Sequence, residues 1–175
     1  YTTFKFGWGP HETGWSLMLV GVVNVLMQGV LLKHVLKRIS PQRLAVIGLC
    51  SSAFAYVAYG LAPQSWMLFV IIFLNMPAAA TGATLQSMVS GAASAGVQGR
   101  TLGAVASLNS LMAVLAPVLG AGLLALVSAA PRGDIRLGLP FFAGGLIQGI
   151  AMLLAIWHFQ RQRGLASTSI SASSV

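Results

Sequence analysis

Five stretches of this chain contain no Asp, Glu, Lys or Arg: Ser16–Leu32, Leu44–Ala62, Met67–Gly91, Leu102–Ala130 and Leu137–Trp157. Each is near or above the roughly 17–25 apolar residues that cross about 30 Å of hydrocarbon at about 1.5 Å per residue. No water reaches the backbone at that depth, so each segment must satisfy its own N–H and C=O groups as a helix. A closed β-barrel is the other solution, but it reads as alternating segments of about ten residues, a pattern this chain does not have. The fold class is therefore all-α and polytopic, with transmembrane helices at about 16–32, 44–62, 67–91, 102–130 and 137–157. Composition agrees: 7% of residues are charged and 57% apolar, with a mean hydropathy of +0.84. A soluble domain carries about a quarter charged residues.

The charges lie between the apolar runs. Five crossings collect Lys33, Lys37, Arg38, Arg43, Arg100, Arg161 and Arg163 on one side, with no acid among them. The other side holds Lys5, Arg132 and Arg136, offset by Glu12 and Asp134. The positive-inside rule makes the first side cytoplasmic. Residues 1–15 then form an outside interfacial loop, with Tyr1, Trp8 and Trp15 as headgroup-level aromatics, and residues 16–158 the bundle. Residues 159–175 form a Ser-rich cytoplasmic tail read as disordered. The same rule accounts for the net charge of +8 without nucleic acid. The chain opens on Tyr1 with no secretory leader pattern, which points to a piece of a longer protein.

Enzyme chemistry finds little to work with. The two acids stand in outside loops, and no nucleotide-binding or nucleophile-elbow motif is present. Cys50 is the lone cysteine, and His11, His34 and His158 are scattered, so neither a metal site nor a cofactor is expected. Polar residues inside the apolar runs are more informative. Asn24 and Gln28, four apart, share one helix face. Ser51, Ser52, Tyr56 and Tyr59 lie on the second run, Asn75 and Gln86 on the third, Asn109 on the fourth and Gln148 on the fifth. Such groups serve either as interhelical hydrogen bonds, worth about 0.6–2 kcal/mol each, or as the lining of a substrate cavity. The spacings Gly99–Gly103 and Gly145–Gly149 suit close helix packing. Pro77 and Pro117 stand in helix interiors, where each frees a carbonyl and favours a kink.

The order of short motifs adds a resemblance. Phe6-Gly7-Trp8 and Gly14-Trp15-Ser16-Leu17 precede Asn24 and Gln28, and a basic loop, Lys37-Arg38-Ile39-Ser40, follows. Gly48 and Tyr56, Trp66-Met67, Leu85-Gln86-Ser87-Met88, Gln98-Gly99-Arg100 with Gly103, and Ala116-Pro117 complete the series. Along nearly the whole chain this resembles the C-terminal half of the tetracycline-efflux family of drug:proton antiporters, in the major facilitator superfamily. The resemblance implies helices eight to twelve of a twelve-helix fold, with seven helices ahead of Tyr1. It sets helices eight, ten and eleven around the central path, which makes Asn24, Gln28, Gln86 and Asn109 cavity or gating candidates. It turns Tyr59 and Gln148 toward lipid. Gln28 and Gln86 match the family's glutamines. The family's helix-eight histidine is here Asn24, and its helix-nine aspartate is Ser52. Neither replacement titrates, so the usual tetracycline–metal relay does not follow from the resemblance.

Three functions remain in view. The first is proton-driven export of small amphipathic molecules by alternating access from the inner membrane, completed by an N-terminal half of the same protein. The second is an uncoupled or metabolite transporter of the same superfamily, and the third a five-helix scaffold or subunit that transports nothing. The partners common to the first two are the lipid bilayer and a small-molecule substrate; protons belong to the first.

Overall fold

The computed structural model describes residues 1–92, 96–131 and 133–173, with side chains as far as residue 162. Arg132 and the side chain of Arg163, both assigned to sides above, lie outside the described residues. A short helix α1 (Thr2–Phe6) is followed by α2 (Pro10–Leu36), α3 (Pro41–Leu61), α4 (Trp66–Leu74), α5 (Thr81–Ala92), α6 (Gln98–Val127) and α7 (Leu139–Ser173). Four helices are long and apolar enough to cross a bilayer, and α4 with α5 makes a fifth span bent by 49°. The chain is an all-helical polytopic bundle.

Several helices extend beyond their charge-free cores because capping groups fix their ends. Residues 1–15, expected to form a loop, contain α1 and the first turn of α2. Gly7, at φ 71°, ends α1 in the left-handed conformation, and its N–H donates back to the Thr3 carbonyl oxygen at 3.0 Å. Pro10 opens α2 with its φ already helical, and the Glu12 carboxylate accepts the Gly9 N–H at 2.9 Å. Ser40 caps α3 through the Arg43 N–H, again with a proline in the first position. Helix α7 continues to Ser173, beyond the boundary read at 157.

Two helices carry local irregularities. A π-helical turn, Leu26–Leu31, interrupts α2. The third crossing element breaks at Asn75 and passes through a 3₁₀ turn, Met76–Ala80, before α5. Pro77 supplies the reason, since it has no N–H to donate and its ring collides with the carbonyl one turn earlier. Pro117 has no such consequence, and α6 runs through it without a break.

Helix α3 is the centre of the packing. It buries Leu44, Ala45, Gly48, Leu49, Ser52, Ala55 and Gly60, and it lies against α5, α7 and the 3₁₀ turn. Glycines permit these approaches. A Cβ on Gly138 would come within 2.7 Å of the Gly60 carbonyl oxygen and 2.8 Å of the Gly60 Cα. One on Gly144 would stand 3.2 Å from the Tyr56 ring. In the first half of α3, a Cβ on Gly48 would overlap the buried Thr81 hydroxyl and reach 2.9 Å from the Pro77 carbonyl oxygen. Gly99, Gly103 and Gly149 face open space, so the first spacing marks no contact and the second marks one only at Gly145, which lies against Tyr56 and Val57. By contrast α6 buries no residue at all, and its large apolar side chains Leu108, Val114, Val118 and Leu126 are exposed.

Candidate functional site: a mid-depth cavity at a broken helix

A cavity of about 190 Å³ lies between α2, α3 and the break after α4. Its apolar wall is Val20, Val23, Ile72, Ala78 and Ala79, and its polar members are Asn24, Tyr59 and Asn75. Asn24 stands near the middle of the first span, Asn75 at the break of the third, and Tyr59 in the last turn of α3. The cavity's floor exists because α4 stops at Asn75. The Asn75 N–H still donates to Ile71, while the Ala78 N–H turns back to the Asn75 carbonyl, and the backbone leaves the helical path.

Each asparagine is held. The Asn24 Nδ2 donates to the Val20 carbonyl at 2.8 Å, and its Oδ1 accepts from the Gln28 Nε2 at 3.2 Å. Gln28 lies in the π-helical turn, a distortion that recurs at functional positions in helices. Asn75 accepts at Oδ1 from the Ser51 hydroxyl of α3, at 2.9 Å. That bond ties the break to α3 and orients the amide so that its N–H₂ end is left for other partners. No charged side chain lines the cavity. Among the described residues no three His, Cys, Asp or Glu side chains gather where they could hold a metal ion.

The residues singled out above are distributed unevenly about this space. Asn24 lines it, and Gln28 is one bond away but exposed. Gln86 on α5 and Asn109 on α6 are exposed and do not line it. Gln148 is half-buried on α7. Tyr59, which the resemblance turns toward lipid, lines the cavity, and so does Asn75. Neither was legible as a wall residue, because helical periodicity says which residues share a face and not which helix that face meets. Lys33, Lys37, Arg38, Arg43 and Arg100 are all exposed, at the end where α2, α5 and α7 finish and α3 and α6 begin.

A family model, the Major Facilitator Superfamily, matches residues 1–174. The chain belongs to the major facilitator superfamily. It is similar to the tetracycline resistance protein, class D, of Salmonella ordonez, at 27% identity over 88% of this chain and 39% of that protein. It is also similar to the class C protein of Escherichia coli, at 28% identity over 66% of the chain and 29% of that protein. The class E protein of Escherichia coli is 26% identical over 65% of the chain and 28% of its own length. The chain thus spans at most about two fifths of these curated relatives. No solved structure matches it.

At the end opposite the basic loops, this facilitator chain closes over itself. Helix α1 folds across the end of α3, where the Tyr1 hydroxyl donates to the Tyr59 carbonyl and the Lys5 Nζ to the Gly60 carbonyl at 2.8 Å. These are carbonyls that a helix C-terminus leaves without partners, and the ammonium also meets the negative end of the helix dipole. Lys5 is 5% exposed, its ammonium 5.5 Å from the Tyr1 ring centroid and 5.7 Å from that of Phe6. Burial pulls its pKa below the usual lysine value, and pushes the Tyr1 phenol up to about 12, so the phenol keeps its donor proton. Trp8 is buried against Phe69, with ring centroids 5.6 Å apart. Lys5→Met keeps the apolar stem and removes the ammonium. It should cost roughly 1–3 kcal/mol, the range for a lost charged hydrogen bond, in thermal unfolding of the detergent-solubilised protein. An unchanged melting temperature would show that the α1 contact carries no stability.

Proposed function

We propose that this chain is the C-terminal part of a secondary exporter of small amphipathic molecules, driven by proton entry. Its five spans correspond to helices eight to twelve of a twelve-helix transporter in the inner membrane. The end carrying α1 faces outside and the basic end faces the cytoplasm, following the lysine and arginine bias. The observation that carries the reading is the cavity with Asn24, Tyr59 and Asn75 in its wall beside a broken helix, in a chain matched along its length by a facilitator family. A helix interrupted at Asn75 supplies backbone that lines a cavity and bends as the protein rocks between two open states. Tetracycline is the first substrate to try, since the relatives are tetracycline resistance proteins. No group in this reading catalyses a covalent reaction. The proton carrier would be supplied by the N-terminal half, because Asn24, Ser52 and Asn75 do not titrate.

A second reading, uncoupled transport of a metabolite in the same superfamily, is favoured by the cavity's lack of a charged wall residue. The two separate on one measurement, efflux into everted vesicles with and without a proton gradient. Within either reading Gln28, Gln86, Asn24 and Asn109 face the transport path. Gln28→Ala or Gln86→Ala in the full-length protein should then change efflux by about tenfold, the worth of one hydrogen bond to substrate. Gln148→Ala should stay within about twofold. Equal effects at all three positions would return them to helix packing.

A further inference from the structure

Helices α3 and α7 cross tightly at one end and separate at the other. The 3₁₀ turn Ile135–Gly138 that leads into α7 touches the α3 backbone at Gly60, whereas toward the basic end α3 and α7 leave an open groove of about 310 Å³. The groove is graded in polarity along the membrane normal. Gln42 and Arg43, in the first turn of α3, and Gln160 of α7 form its rim. Val46 and Ile47 stand one turn further into the bilayer, about 5.4 Å deeper, opposite Ile156. Phe159 completes the wall beside Gln160.

We propose that this groove binds an anionic phospholipid, its phosphate at Arg43 and one acyl chain along Val46, Ile47 and Ile156. The polar rim lies at the level of headgroups and the apolar wall at the level of acyl chains, so a single lipid matches both. Free phosphate would meet only the rim. Charge selects among lipids. The end of the bundle that carries the groove also exposes Lys33, Lys37, Arg38, Arg100 and Arg161, while both acids of the sequence, Glu12 and Asp134, belong to the opposite end. A zwitterionic headgroup brings a cation that finds no carboxylate here, whereas a headgroup with net negative charge is attracted by every neighbour. Arg43 suits phosphate in particular, since its guanidinium fork pairs with two oxygens at once.

Purified full-length protein in mild detergent, titrated with dioleoyl phosphatidylglycerol and followed by native mass spectrometry, tests this. Retention of phosphatidylglycerol should saturate, exceed that of dioleoyl phosphatidylcholine, and persist in excess inorganic phosphate. Arg43→Gln should weaken it about fivefold, the worth of one basic side chain at a membrane surface, and Arg100→Gln, at the same end but outside the groove, should not. Ile156→Trp fills the apolar half and should also displace the lipid; if that variant misfolds, the Arg43 and Arg100 pair decides alone. Equal retention of both lipids, full competition by phosphate, or equal loss in the two arginine variants would each overturn the assignment. None of these outcomes depends on what the protein transports.

Discussion

Alanine at Gly138 should destabilise the bundle by about 1–3 kcal/mol, the cost of forcing an extra methyl group into a filled contact. The methyl would meet backbone and not a movable side chain: the Gly60 carbonyl oxygen at 2.7 Å and the Gly60 Cα at 2.8 Å. Backbone atoms of a helix cannot step aside singly, so the 3₁₀ turn Ile135–Gly138, and with it the start of α7, must shift away from α3. Gly48→Ala should cost a similar amount for a related reason. Its methyl would overlap the Thr81 hydroxyl and press on the Pro77 carbonyl oxygen, in the turn that follows the break. Gly103, inside α6, provides the control, because a Cβ there meets nothing within 4 Å. Gly103→Ala should be neutral or stabilise by up to about 1 kcal/mol, through helix propensity alone. Thermal unfolding of the three variants in detergent, against the unaltered protein, gives the comparison. If Gly138→Ala melts with the Gly103→Ala variant, the α3–α7 approach is looser than these distances allow.

That contact also marks the limit of what the amino-acid order conveys. The five crossings are legible because insertion penalises every charge, so a charge-free run announces itself whatever surrounds it. Helix ends are less so: Glu12 reads as a loop acid, yet in the structure it caps Gly9 and draws the start of α2 back to Pro10. The two membrane prolines show the same limit. Pro77 and Pro117 look alike in sequence, but the chain breaks only near Pro77, where Asn75 is tied to Ser51 of α3 and the turn is packed under Gly48. Around Pro117 the helix is exposed among the described residues, and α6 stays continuous. The Asn24–Gln28 pair is local and follows from a spacing of four. The meeting of Asn24 with Asn75 and Tyr59 is not local, and nothing in their spacing announces it. Lys5 gives no sign of burial either. Its partner is a backbone carbonyl at Gly60, and carbonyls leave no trace in composition.

Reconstituted alone in liposomes, the chain should give no proton-linked flux, a loss of activity larger than any single substitution would produce. The argument rests on the faces that nothing covers. Gln28, Gln86 and Asn109 are exposed on three different helices, and α6 buries none of its residues. In hydrocarbon an amide without a partner is costly, so polar membrane side chains turn toward protein or water. A chain that left three of them against lipid would either associate with another copy or expose them only where a second set of helices lies. The proposed exporter supplies that second set, as the other wall of the path. The cavity of about 190 Å³ is also bounded on one side only by α2, α3 and the broken span, which gives a substrate a place to rest but no second gate. Alternating access needs two bodies that rock against each other. Co-expressing the chain with the preceding part of its protein should therefore restore flux, while the chain alone stays at the level of empty liposomes. Flux from the isolated chain would mean that these five helices, singly or as copies, already form both walls, and the proposed two-part architecture would have to be abandoned.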